Sequence, residues 1–371
     1  MEGLFPLSMV MGSVTGTVPR CEVCGLYRKC KSARMKPTGD GYKKVLVVAE
    51  SPGEEEDERG IQLIGKSGQL LRSTLKQIGV DLDRDCWKTN AVVCRCEGTP
   101  TPIQIECCRP LLMKTILEYN PDVVLLLGVT SVTSLIGHLW KNSDIGGISR
   151  WVGWKIPNRE PNMWICPTYH PAYLLRRRDN EVLHLWFKKH LEQAFRIEGK
   201  PWDEAPDYNS RLMILQDPDE AVGVIEDRLR RHRYIAFDFE TDRVKPDMEG
   251  ATIITCSVCI GGEVSISFPW WGKICGYMSS VFRDEGIYKI GCNIKFEERW
   301  VRRLLGHGVE GWVWDCMLAA HVLDNRPGIT GLKFQAFVRR GVPDWSVGID
   351  MGKVEGGNDL NSVKLIPVRE L

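Results

Sequence analysis

Two continuous apolar runs, Val45 to Ala49 and Val123 to Leu127, constrain this chain more than any other feature. Neither alternates polar with apolar residues, so each reads as a strand buried on both faces, the mark of a parallel sheet. Parallel strands need long crossovers. The sequence between the runs supplies helical signals at Ser67 to Ile78 and Ile103 to Tyr119, with a short strand reading at Val92 and Val93. Trp164-Ile165-Cys166-Pro167 reads as a further strand, and the amphipathic stretch Glu181 to Arg196 closes the pattern. The first half is therefore expected to be an α/β domain with helices on both faces of a parallel sheet. In such sheets ligands sit beyond the carboxyl ends of the strands.

One such domain does not use up the chain. Its 371 residues, 43% of them apolar, exceed what one core usually organises. The Pro-, Gly- and charge-rich stretch Glu198 to Pro206 reads as a linker, which places domains at 1–196 and 211–371 around a connection at 197–210. A net charge of +1 leaves any nucleic-acid binding to local patches such as Arg176-Arg177-Arg178. No stretch approaches the roughly 18 to 20 apolar residues that cross a bilayer, and Met1 to Arg20 lacks the pattern of a signal peptide. The expectation is a soluble, intracellular, cytoplasmic protein with no membrane partner. In such a compartment the 14 cysteines point to metal binding or burial rather than disulfides.

Beyond the linker, Tyr234 to Phe237 reads as a strand running into Asp238-Phe239-Glu240-Thr241, with further strands at Ile253 to Ile260 and Val264 to Phe268. Helical patterns follow at Lys295 to Leu305 and Cys316 to Leu323. Residues i and i+2 of a strand share a face, so Asp238 and Glu240 can meet one pair of divalent cations. Together with Asn293-Ile294-Lys295-Phe296-Glu297, Asp315 to His321 and Gly331-Leu332-Lys333, this resembles the 3′-5′ exonuclease domain of DNA polymerase I-type enzymes. The resemblance implies an α/β ribonuclease H-like fold, Mg²⁺ or Mn²⁺ held by Asp238, Glu240 and Glu297, and DNA 3′ ends as substrate. Glu297 stands where that family usually carries Asp, a carboxylate on a longer arm. The family's last motif, a Tyr followed four residues later by Asp, is expected beyond Leu371. That implies a piece of a longer protein, with a polymerase domain or replication proteins as partners, and weak exonuclease activity in this chain.

The first half carries its own chemistry at strand ends. Ala49-Glu50-Ser51-Pro52-Gly53 follows the first run, Asn90 lies between, and His170-Pro171-Ala172-Tyr173-Leu174-Leu175-Arg176 follows the last strand. Cys21-Glu22-Val23-Cys24 has a spacing that lets two thiolates reach one metal from a tight turn, in zinc, iron-sulfur or redox sites alike. These strings resemble the motifs of the iron-sulfur uracil-DNA glycosylases, over about half the chain. The resemblance implies a three-layer glycosylase fold, uracil-containing single- or double-stranded DNA as substrate, and a [4Fe-4S] cluster on Cys21, Cys24, Cys94 and Cys108. Cys96 and Cys107 are close alternates, and a four-cysteine zinc site is the competing occupant.

The same resemblance assigns roles. Asn90 would pair with the O4 and N3–H edge of uracil, and His170 would donate to O2, where charge develops as the bond breaks. Glu50 would position or deprotonate the attacking water. Pro52-Gly53 would let the backbone approach the nucleotide, Leu174 and its neighbours would wedge into the duplex, and Arg176 would take a phosphate. Leu63 stands where the family has a phenylalanine that stacks on the base. Stacking is worth about 1 to 3 kcal/mol, so base binding is expected to weaken. A noncatalytic, uracil-sensing DNA-binding module is the alternative function.

Overall fold

The computed structural model describes residues 18–140 and 145–345. Contacts divide these into two units, one of residues 18–206 with Lys333–Trp345, the other of Asp207–Leu332. The division falls at Pro206, inside the stretch read as a linker. It also returns Lys333–Trp345 to the first unit, whereas the sequence reading left that segment in the second.

The first unit is built on five strands, β1 (Val45–Ala49), β2 (Cys86–Asn90), β3 (Val123–Leu127), β4 (Ile156–Asn158) and β5 (Met163–Thr168), in the order β2-β1-β3-β5-β4. The first four in that order run parallel, and β4 joins β5 antiparallel at the edge. Both expected apolar runs are central and fully buried. Val45, Val47 and Ala49 point to a face covered by Leu71 and Leu75 of the helix Lys66–Lys76 and by Phe187 and Leu191 of the helix Glu181–Phe195. Alternation turns Leu46 and Val48 to the other face, where the helix Val129–Leu139 packs on β1 and β3. The helix Pro102–Tyr119 begins with a reciprocal cap, the Thr101 hydroxyl accepting from the Gln104 N–H and the Gln104 side chain from the Thr101 N–H.

One strand departs from expectation. Val92 and Val93 are not in the sheet; the strand is the mixed segment Cys86-Trp87-Lys88-Thr89-Asn90. After Asn90 the chain turns out of the sheet, with the Ala91 N–H donating to Ala49 O and the Val92 N–H to Glu50 O. The two valines instead pack with Ile105 and Cys108.

The second unit holds a six-stranded sheet of β6 (Leu212–Ile214), β7 (Tyr234–Thr241), β8 (Ile253–Ile260), β9 (Val264–Pro269), β10 (Tyr288–Gly291) and β11 (Trp312–Asp315), ordered β11-β10-β7-β8-β9-β6. An antiparallel meander β7-β8-β9 is extended on the other side of β7 by parallel β10 and β11, the ribonuclease H-like arrangement. Strand β7 runs four residues past the expected Phe237, so Asp238 and Glu240 lie within it. Phe237 and Phe239 are buried on its opposite face against Phe282.

Candidate active sites

Because β1, β2, β3 and β5 are parallel neighbours, their carboxyl ends form one edge. Asn90 ends β2 in register with Ala49, Glu50 follows β1, and His170 lies two residues past β5. Asn90 is 2% exposed, and its Nδ2 has no hydrogen-bond partner among the described residues. A buried amide donor left unpaired is costly unless something else accepts from it. Glu50 is half-buried, and its Oε2 accepts from the Thr130 hydroxyl at 2.5 Å.

His170 caps the short helix Pro171–Leu175, its Nδ1 accepting from the Ala172 N–H at 3.2 Å. Burial, first of all, holds the imidazole below its ordinary pKa; the Glu50 charge opposes that shift and the Arg176 charge reinforces it. The neutral ring then carries its proton on Nε2, because Nδ1 is occupied as an acceptor. Gly128, at the end of β3 with φ +86°, makes room for this ring: a Cβ there would stand 2.8 Å from the His170 Cβ.

The remaining expected residues are placed unequally. Pro52 is buried and Gly53 exposed. Gly53 has an ordinary φ of −78°, and a Cβ there would meet Glu56 Oε2 at 2.6 Å, so its smallness first serves the Glu56 carboxylate. Glu56 accepts from the Ile64 and Gly65 N–H groups at 3.1 and 2.8 Å and so pins the loop that carries Leu63. Leu63 is 5% exposed and packs in the core with Leu71 and Leu75. Leu174 requires correction: it is fully buried in the same core and cannot wedge into a duplex. Tyr173 and Leu175 keep exposed surface, Tyr173 stacking on Tyr169 at 5.7 Å beneath the Arg177 guanidinium. Arg176 is exposed at the end of that helix. Thr130, Glu56 and Gly128 were not found from the sequence; only the strand end at Gly128 was visible there.

The cysteines converge on a cavity lined by Cys21, Cys24, Cys94, Cys107 and Cys108, with Val92 and Val93. Two sulfurs are aimed at by backbone donors: the Arg34 N–H reaches Cys94 Sγ and the Val93 N–H reaches Cys108 Sγ, both at 3.3 Å. Burial pushes these thiols up to about 11 and about 12, so both are protonated unless a cation faces them. Cys30 and Cys96 turn their thiols to carbonyls, of Leu26 and Gly98. Asp57 ties down the segment after the Cys-x2-Cys turn, its carboxylate accepting from the Lys31 and Ser32 N–H groups. Among the described residues no three His, Cys, Asp or Glu side chains are grouped tightly enough for a single metal ion.

In the second unit Asp238 and Glu240 share the face of β7 opposite Phe237 and Phe239. Glu297, in the first turn of the helix Lys295–Leu305, is 2% exposed, and its Oε2 lacks a hydrogen-bond partner among the described residues. Burial, with the Asp238 and Asp315 charges adding to it, pushes Glu297 up to about 8. Asp238 is raised too, by desolvation, while its interaction with Glu297 opposes that shift. Asp315 serves a different purpose. Burial alone would raise it, but N–H groups of Asn293, Ile294, Met317 and Leu318 all donate to its carboxylate and hold it below the usual range.

Comparison with known proteins identifies two domains. The pattern of the uracil DNA glycosylase superfamily matches residues 37–196, and that of a 3′-5′ exonuclease matches residues 213–338. A type-4 uracil-DNA glycosylase of Thermotoga maritima is 32% identical over 177 residues, covering 47% of this chain and 87% of its own. A DNA polymerase of Bacillus phage SP01 is 22% identical over 375 residues, 90% of this chain and 38% of the polymerase. Among solved structures, Escherichia coli RNase D aligns at 17% identity and a TM-score of 0.31, over 37% of this chain and 35% of its own. The chain belongs to the uracil-DNA glycosylase superfamily and, within it, to the type-4 family, here joined to a 3′-5′ exonuclease domain of the DNA polymerase type.

Proposed function

We propose that the first unit hydrolyses the bond between uracil and deoxyribose in single- or double-stranded DNA, and that the second binds DNA 3′ ends. The observation that carries the first part is the convergence of Glu50, Asn90 and a neutral His170 on one sheet edge. The target nucleotide must leave the stack to reach that edge, and unpaired substrate costs least to present. Asn90 then offers its unpartnered amide to the polar edge of the base. The His170 Nε2–H donates to O2 and stabilises the charge that accumulates there as the glycosidic bond lengthens. Glu50 takes a proton from the water that adds to the sugar carbon. Tyr173 and Leu175, rather than Leu174, fill the gap in the stack, and Arg176 holds a phosphate.

Cys21, Cys24, Cys94 and Cys108 would hold the [4Fe-4S] cluster. They line a common cavity, and two of them receive backbone N–H donors. When bound, the cluster would supply charge that keeps buried thiolates ionised and a tie between the N-terminal segment and the sheet. Asp238, Glu240 and Glu297 would hold Mg²⁺ or Mn²⁺, which polarise a scissile phosphate. With Asp315 committed to backbone donors, these three are the carboxylates expected to face cations, and degradation of 3′ ends is expected to be slow.

Excision is tested with a labelled uracil oligonucleotide, cleaving abasic products with alkali. The wild-type chain should give product without added metal. Glu50→Ala should lower the single-turnover rate by about 10² to 10⁴, and His170→Ala by about 10² to 10³. Tight binding of the oligonucleotide with no product would leave the uracil-sensing reading in place.

A further inference from the structure

The strand between the two catalytic groups does more than separate them. β3 lies between β1, which delivers Glu50, and β5, which delivers His170, and its exit is Gly128-Val129-Thr130. Gly128 gives His170 its space, and two residues later the Thr130 hydroxyl donates to Glu50 Oε2 at 2.5 Å. Thr130 is 1% exposed, so no water competes for that bond from the Thr130 side. No side chain caps the start of this helix, and the neighbouring Ser131 Oγ donates to Gly128 O at 2.9 Å, which leaves the Thr130 hydroxyl to Glu50. Glu50 Oε1 accepts from no protein donor among the described residues, so it is the oxygen left to take a proton from water.

We infer that Thr130 is a positioning residue for excision, holding Glu50 by one carboxylate oxygen so that the other faces the attacking water. The inference rests on the excision reaction proposed above. A carboxylate on three rotatable bonds, half-exposed at a strand end, otherwise samples several rotamers, and a misplacement of about 1 Å can cost about 10²-fold in rate.

Thr130→Val keeps the shape and removes the donor. Single-turnover excision at saturating enzyme should fall by about 10- to 100-fold, while the Kd for uracil oligonucleotide stays within about twofold of wild type. Thr130→Ser, which keeps a hydroxyl, should recover most of the rate. Combined with Glu50→Ala, Thr130→Val should cost nothing more, because a residue acting only through Glu50 has no effect once Glu50 is gone. If Thr130→Val is insoluble, Thr130→Ala takes its place with the same expectations. An undiminished rate in Thr130→Val overturns the inference while excision itself stands. So does an equal loss in Thr130→Ser, or an additive loss on Glu50→Ala, either of which marks a packing role. No product from the wild-type chain removes the reaction and the inference with it.

Discussion

Glu297 shows how one side chain can report the state of a site. Its folded pKa near 8 lies far above that of an exposed glutamate. A raised folded pKa means that the folded state holds the proton more tightly than the unfolded chain. The stability it confers is full below the unfolded value and is lost as pH rises through about 8. Cations bind ionised carboxylates, so a Mn²⁺ held by Glu297 as proposed would have to displace that proton below pH 8. The melting temperature of the second unit without cations should therefore fall between about pH 5 and 8 and level off above. Stabilisation by Mn²⁺ should grow over the same interval. Calorimetry of wild type and Glu297→Gln checks this, and both trends should vanish in the variant. A Mn²⁺ effect that shrinks as pH rises would place the cation elsewhere.

Among the elements, the helix Leu332–Arg340 is the least expected. The exonuclease pattern extends to residue 338, yet from Lys333 onward this helix packs within the first unit. Phe337 stands 4.8 Å from Trp140 and Phe334 5.2 Å from Trp151, with the Arg150 guanidinium over the Phe334 ring. Gly341, in the left-handed region at φ +64°, ends the helix where a Cβ would strike Pro157 O at 2.2 Å. Phe337 is 2% exposed, so Phe337→Ala should destabilise the first unit by about 3 to 5 kcal/mol. Denaturant unfolding followed by tryptophan fluorescence reads that loss. A chain ending at residue 206 should show a comparable deficit, since it leaves Trp140 and Trp151 uncovered. Equal stability with and without the helix would make it a passenger.

Across the first unit, the cysteine cavity and the proposed uracil site are two ends of one short segment. Asn90 and Cys94 are four residues apart, and between them the Ala91 and Val92 N–H groups are fastened to Ala49 and Glu50. Loss of a ligand should therefore be felt at the base. Cys94→Ser should purify colourless and with less iron. Its N-terminal segment around Arg28 and Lys31 should become open to trypsin, and its affinity for uracil DNA should drop about 10- to 100-fold through a loosened Asn90. Stoichiometric zinc in anaerobically purified wild-type protein would reject the cluster, and unchanged affinity in Cys94→Ser would reject the coupling.

What the sequence determined by itself was whatever local pattern encodes. Apolar runs without alternation located β1 and β3, the Asp-x-Glu spacing located a shared face on β7, and short motifs put Glu50, Asn90 and His170 at strand ends. It misread Val92 and Val93, because a pair of β-branched residues looks alike in a strand and in a packed loop. It sent Leu174 to the DNA because one turn of helix has a buried and an exposed side that five residues do not reveal. The tertiary structure alone decided contacts between residues distant in sequence, which no local period carries. Those contacts put Thr130 on Glu50 across 80 residues and opened room at Gly128 for His170. They also laid Phe334 and Phe337 on tryptophans nearly 200 residues earlier. Burial, which comes only with packing, moves the His170 imidazole below its ordinary pKa and the Glu297 carboxyl above its own.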